Sequence, residues 1–169
     1  MENERKTDRS ADMGMDEHRL SDILLASQIK ATDIYETPPQ IIWIDNSTIA
    51  TLGNFSASTG KAKSKKTFNV SALVAASLAG KQVLNYRAHL PEGKQRILYV
   101  DTEQSRFHCR SVLERILRLA GLPTTTDPEN LDFFCLREYS PSVRVEVIDY
   151  ALRQNKGYGL VIIDGIRDL

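Results

Sequence analysis

The octet Gly60-Lys61-Ala62-Lys63-Ser64-Lys65-Lys66-Thr67 constrains this chain more than any other stretch. It follows an apolar, β-prone run from Thr48 to Phe55 and opens an apolar run of helical spacing from Phe68 to Leu78. A loop entered by glycine, between a strand and a helix, lets backbone N–H groups and the positive helix end wrap an anion. The phosphate-loop pattern G-x-x-x-x-G-K-[ST] is met at Gly60, Lys66 and Thr67 and missed at Lys65, which stands where the second glycine belongs. In such a loop Gly60 gives an unhindered backbone at the entry. Lys66 lies against the β- and γ-phosphates as a point charge, and Thr67 presents its hydroxyl to Mg²⁺. Lys61, Lys63, Lys65 and Lys66 make the loop basic, which suits a polyphosphate such as ATP. Lys65 fits if its backbone stays near helical angles and its side chain points to solvent. A solvated lysine-rich turn ahead of a helix is the alternative at the octet alone.

The rest of the chain supplies the context. Residues 1–17 are polar, have no repeating apolar face, and read as a disordered tail. Leu20, Ile23, Leu24 and Ala31 predict a short amphipathic helix over 18–34, ended by Thr37-Pro38-Pro39. It would pack on the core or on a neighbouring subunit. Ile41–Ile44 and Thr48–Phe55, joined at Asp45-Asn46-Ser47, predict a hairpin that leads into the loop. A helix over Thr67–Leu78 stops at Gly80, and residues 81–95 read as a polar connection. Strand Arg96–Val100, helix Arg106–Ala120, strand Leu131–Leu136, helix Ser142–Gln154 and strand Leu160–Asp164 follow. This alternation predicts an α/β fold with a mainly parallel sheet covered by helices on both faces.

Leu160-Val161-Ile162-Ile163-Asp164 has the form of a Walker B strand, with an aspartate at its carboxyl end. Ligands of open α/β sheets bind beyond those ends, so Asp164 would meet the magnesium ion that Thr67 holds. Gly165 and Ile166 come next, so a catalytic base must come from elsewhere. Glu103, just past the Arg96–Val100 strand, is the candidate to orient a water for attack on the γ-phosphate; Asp101 competes with it, and capping of the next helix is the alternative role for Glu103.

Composition adds bounds. The 22 basic and 22 acidic residues balance, so net charge points to no partner. No apolar run approaches a membrane span, and the charged N-terminus is no secretory signal. Cys109 and Cys135 have no metal-ligand spacing and read as buried, reduced thiols, which with the preceding points makes a cytoplasmic location the expectation. Arg106, Arg110, Arg115 and Arg118 recur along one helix, either as a stripe facing DNA phosphates or, with Glu114 among them, as a solvated face; the second reading is preferred.

Together the segments TIATLGNFSASTGKAKSKKT, RILYVDTEQS and GLVIIDG resemble RecA-like P-loop ATPases, within them the RepA-like replicative helicase and AAA_25-type group. The loop variant GKAKSKKTF is similar to a form in ATPases of bacterial mobile elements. The resemblance covers residues 38–169 and implies a RecA-like three-layer sandwich, with residues 18–37 as helix and linker. It implies Gly60 to Thr67 at the nucleotide phosphates, Lys66 and Glu103 in catalysis, and Thr67 and Asp164 at Mg²⁺. It further implies ATP hydrolysis in DNA replication or mobilisation, within a homo-oligomeric ring of the full-length protein. Members of the group continue with further strands after the Walker B aspartate, so the chain reads as a domain cut short after Leu169. A nucleotide-binding module without effective catalysis is the second reading. A small-molecule kinase would need a lid and an acceptor pocket after Asp164, which disfavours a third.

Overall fold

The computed structural model describes residues 16–61 and 65–169. Almost all of the N-terminal stretch read as a tail, and Ala62, Lys63 and Ser64 of the octet, lie outside the described residues. The chain divides into two compact units, Met1–Thr37 and Pro38–Leu169.

In the first unit, α1 (Glu17–Ser27) is capped by the Asp16 carboxylate, which accepts from the His18 N–H. It buries none of its residues. The helix is shorter than the apolar spacing predicted. Past Gln28 the Asp33 carboxylate accepts from the Lys30 N–H at 2.8 Å, a local bond that competes with helical pairing, and Ile29, Thr32 and Ile34 are β-branched.

The second unit runs β1 (Gln40–Ile44), β2 (Ser47–Thr51), α2 (Lys66–Ala79), β3 (Tyr86–Ala88), β4 (Arg96–Asp101), α3 (Arg106–Ala120), β5 (Leu131–Cys135), α4 (Pro141–Gln154) and β6 (Tyr158–Asp164), then a short 3₁₀ turn at Ile166–Asp168. It is a mixed α/β unit with two sheets. β5, β4 and β6 form a parallel sheet in that order, and β2, β1 and β3 form an antiparallel one.

β4 is the central strand of the parallel sheet. Successive side chains of a strand point to opposite faces. Ile97 and Tyr99 enter the core shared with α2 and α3, while Leu98 and Val100 enter the core under α4 with Val147, Ile148, Ala151 and Leu152. Ile97 to Val100 are at most 1% exposed, so both faces of the strand are sealed by helices. α2 lies between this sheet and the antiparallel one. Ala72, Ala75 and Ala76 are fully buried there, and their small side chains permit close approach on two sides. Its buried Ser71 and Ser77 hydroxyls donate to carbonyls one turn back, at 2.6 and 3.0 Å. At the amino ends of the parallel strands, Asp132 of β5 accepts from Arg96 of β4 at 2.8 Å and from the Tyr158 hydroxyl of β6 at 2.5 Å.

Two expectations are corrected. The strand before the octet ends at Thr51 rather than Phe55; it pairs with β1 as the predicted hairpin, and that hairpin joins β3 in a sheet of its own rather than preceding the strands of the parallel one. Its nearest ladder is β1, one tight turn away, and a local hairpin closes at little entropic cost. Residues 81–95 are not merely a connection: Val83, Tyr86, Ala88 and Leu90 are buried, and Ile42 and Ile44 of β1 pair with Ala88 and Tyr86.

If β4 is the shared wall of two cores, Leu98→Ala destabilises the unit by about 3 kcal/mol, and Val161→Ala, on a more exposed position of β6, by less than about 1 kcal/mol. Urea midpoints of the two variants check the ranking.

Candidate functional site

The ends of β4, β5 and β6 lie level at one rim of the parallel sheet, because the register pairs Asp101 with both Cys135 and Asp164. The start of α2 meets this rim. The Thr67 hydroxyl donates to Asp164 Oδ2 at 3.2 Å, joining residues 97 positions apart. One residue earlier, Lys66 Nζ donates to the carbonyl oxygens of Gly60 at 2.8 Å and Lys61 at 3.3 Å, so its ammonium is folded over the entry of the loop.

Lys65 precedes α2 in the left-handed conformation, φ 60° and ψ 25°, with its carbonyl accepting from the N–H groups of Phe68 and Asn69. This corrects the expectation of near-helical angles. The turn into the helix imposes a glycine-like backbone whatever the residue, and a side chain there costs about 1–2 kcal/mol. Lys65 is exposed, so its charge meets no burial cost.

The second acid-bearing segment is the turn after β4. Asp101 is fully buried. Its Oδ1 accepts from the N–H groups of Glu103 at 3.0 Å and Gln104 at 2.7 Å, and its Oδ2 accepts from Gln104 Nε2 at 2.8 Å. Asp101 therefore builds the turn and Glu103 is the acid the turn displays, exposed at the rim. Among the described residues no N–H at the start of α3 bonds to the Glu103 carboxylate; that helix starts at Arg106, and its N-cap residue Ser105 makes no side-chain cap. Thr102 ties this turn to the end of β6, its N–H donating to the Asp164 carbonyl at 3.1 Å and its hydroxyl to the Gly165 carbonyl at 2.7 Å. Gly165 has φ +102°, and a Cβ on it would come 2.3 Å from Thr102 Oγ1 and 2.6 Å from Glu103 Cγ. Glu103 is thus stacked against the residue that follows Asp164.

Three contributors escaped the sequence reading. Tyr99 donates its hydroxyl to Asp164 Oδ2 at 3.0 Å. Burial, and then the Asp164 charge, push its pKa upward, so it stays a proton donor. Its position two residues before Asp101 on the same face of β4 was a usable signal. Thr102 had no signal beyond its adjacency to the acids. Arg144 of α4 is buried and donates to the carbonyls of Leu136 at 3.0 Å and Arg137 at 2.7 Å, holding the chain as it leaves β5. It borders a concavity of about 640 Å³ with Thr102, Glu103, Arg137 and Arg167; Thr67 and Asp164 stand outside its lining.

Cys109 is buried and Cys135 half-buried, and both thiols point at the Gln104 carbonyl, at 3.7 and 3.4 Å. Burial pushes the Cys109 thiol up, which keeps it protonated and a poor ligand. On α3, Glu114 pairs with Arg110 and Arg118 at 3.2 Å each, so a carboxylate interrupts the arginine stripe.

The Thr67–Asp164 pair offers one hydroxyl and one carboxylate, both hard oxygen donors, which suit Mg²⁺ better than softer metals. Among the described residues no group of three or more His, Cys, Asp or Glu side chains is placed to hold a metal.

A family model described as an AAA domain, AAA_25, matches residues 20–169. The chain belongs to this family. Membership brings nucleotide binding and ATPase activity as the family's property. The matched span of the AAA domain begins earlier than the segments whose motifs carry the resemblance, and takes in most of α1. No curated protein and no solved structure matches the chain. No described helix of this AAA domain is long and apolar enough to cross a membrane.

Lys65→Gly relieves the left-handed strain and, after allowing for the greater freedom of glycine in the unfolded chain, stabilises the domain by about 1 kcal/mol. Thermal unfolding should rise by about 4 °C, and Lys65→Val should lower it.

Proposed function

We propose that this AAA domain binds ATP at the start of α2 and hydrolyses it to ADP and phosphate with Mg²⁺. The observation that carries the reading is the 3.2 Å bond between the Thr67 hydroxyl and the Asp164 carboxylate, beside Lys66 and a helix N-terminus. Residues 60–67 would wrap the phosphates with backbone N–H groups, and the helix end adds partial positive charge. Lys66 would exchange its carbonyl partners for phosphate oxygens, a stronger, charge-assisted pairing. Thr67 and Asp164 would hold Mg²⁺, which when bound neutralises charge on the β- and γ-phosphates. Glu103 would accept the proton of the attacking water; the Asp101 turn and Gly165 fix where its side chain starts.

The finer reading is a RecA-like domain with helices on both faces of its parallel sheet, acting in a homo-oligomeric ring on DNA during replication or mobilisation of a mobile element, in the cytoplasm. Its support is the resemblance of the three motif segments. In a ring, a neighbour's arginine could supply the charge that speeds hydrolysis. Glu114 within the α3 stripe favours a solvated face there, so DNA contacts would come from other surfaces.

Binding of a fluorescent ATP analogue, followed by phosphate release, tests the assignment. Lys66→Ala should abolish binding. Glu103→Gln should keep binding and lower turnover by about a hundredfold or more; full turnover by that variant would remove Glu103 as the base. Tight binding with no phosphate release from the unaltered chain would make it a nucleotide-binding module instead.

A further inference from the structure

An aspartate carboxylate rotates freely about its last torsion unless hydrogen bonds hold it, because that torsion is broad. Asp164 is held by two donors on one oxygen: Thr67 Oγ1 at 3.2 Å and the Tyr99 hydroxyl at 3.0 Å, both to Oδ2. Among the described residues none reaches Oδ1. The two donors differ in kind. Thr67 sits at the loop that would change its contacts when nucleotide arrives, whereas Tyr99 belongs to the most deeply buried strand. The Tyr99 side chain is 0% exposed, and its ring stacks on Phe133 of β5, centroids 4.3 Å apart and planes 8° from parallel. A ring clamped this way presents its hydroxyl from a fixed point. The register also fits, because Tyr99 pairs with Ile162 and reaches diagonally along the same face to Asp164.

We propose that Tyr99 is a positioning residue for Asp164: its hydroxyl fixes the carboxylate so that Oδ1 is kept as the acceptor for Mg²⁺ or a water bound to it. The proposal rests on the nucleotide reading above. Thr67 is compatible with it, since a hydroxyl has one proton for Asp164 and lone pairs left for a cation. Removing such an outer hydrogen bond typically weakens a metal site by about 10–100-fold.

Magnesium titrations of the full chain with a fluorescent ATP analogue test it. Tyr99→Phe keeps the ring and removes only the hydroxyl. The Mg²⁺ concentration for half-maximal binding should rise about tenfold, with binding in EDTA unchanged. In an Asp164→Asn background the same change should shift the midpoint by less than about twofold, because the hydroxyl acts through that carboxylate. An unchanged midpoint in Tyr99→Phe, with normal Mg²⁺-dependent binding by the unaltered chain, overturns the role of Tyr99 and leaves the nucleotide reading standing. Loss of Mg²⁺-dependent binding by the unaltered chain overturns both. Should Tyr99→Phe fail to fold, Phe133→Leu, which keeps the hydroxyl but frees the ring, should raise the midpoint by a smaller factor; no rise there overturns the proposal equally.

Discussion

β4 has no solvent side, and the rest of the unit is arranged by that fact. Its alternate residues belong to different cores, so α2 and α3 are required on one face and α4 on the other, with β5 and β6 completing its hydrogen bonds along both edges. A strand fixed from four directions cannot shift without disturbing both cores. Its carboxyl end is therefore a firm platform, and the platform carries the Asp101 turn, Glu103 and the Tyr99 hydroxyl together. Side chains supported by rigid elements are held more closely than side chains on free loops.

The acidic turn also shows how one carboxylate is consumed so that another is displayed. Asp101 and Glu103 are two residues apart and chemically alike. Burial and three hydrogen bonds make the first a scaffold, while the second is left exposed at the rim. Neither role follows from residue type. It follows from which side chain points back under the turn.

Much of this was legible from the order of residues. Continuous apolar runs such as Ile97–Val100 and helical repeats such as Arg106–Ala120 announce themselves, because burial on two faces or along one stripe restricts the residue types at those positions. That Thr67 and Asp164 would meet was readable because ligand-facing groups of open α/β sheets gather beyond the carboxyl ends of the strands. The failures have physical causes too. Buried Tyr86, Ala88 and Leu90 alternate with exposed Arg87 and His89 as a strand should, but Pro91 and Gly93 nearby suggested a loop. Which sheet β2 would join depends on the available partner edges, and local spacing does not record them. The left-handed Lys65 breaks a residue preference, and sequence patterns register preferences rather than the exceptions that tertiary structure enforces. The bond from Tyr99 to Asp164 needs the register of two strands, a long-range quantity.

Gly165 carries a last consequence. The space its absent methyl leaves is taken by Thr102 and Glu103, side chains from a different strand's exit. The reach of the acid is thus governed by a residue that has no functional group at all. A single added carbon there would push aside the carboxylate and the threonine clasp at once, uncoupling the ends of two neighbouring strands. Chemistry at this rim depends on emptiness at one backbone position as much as on the charges around it.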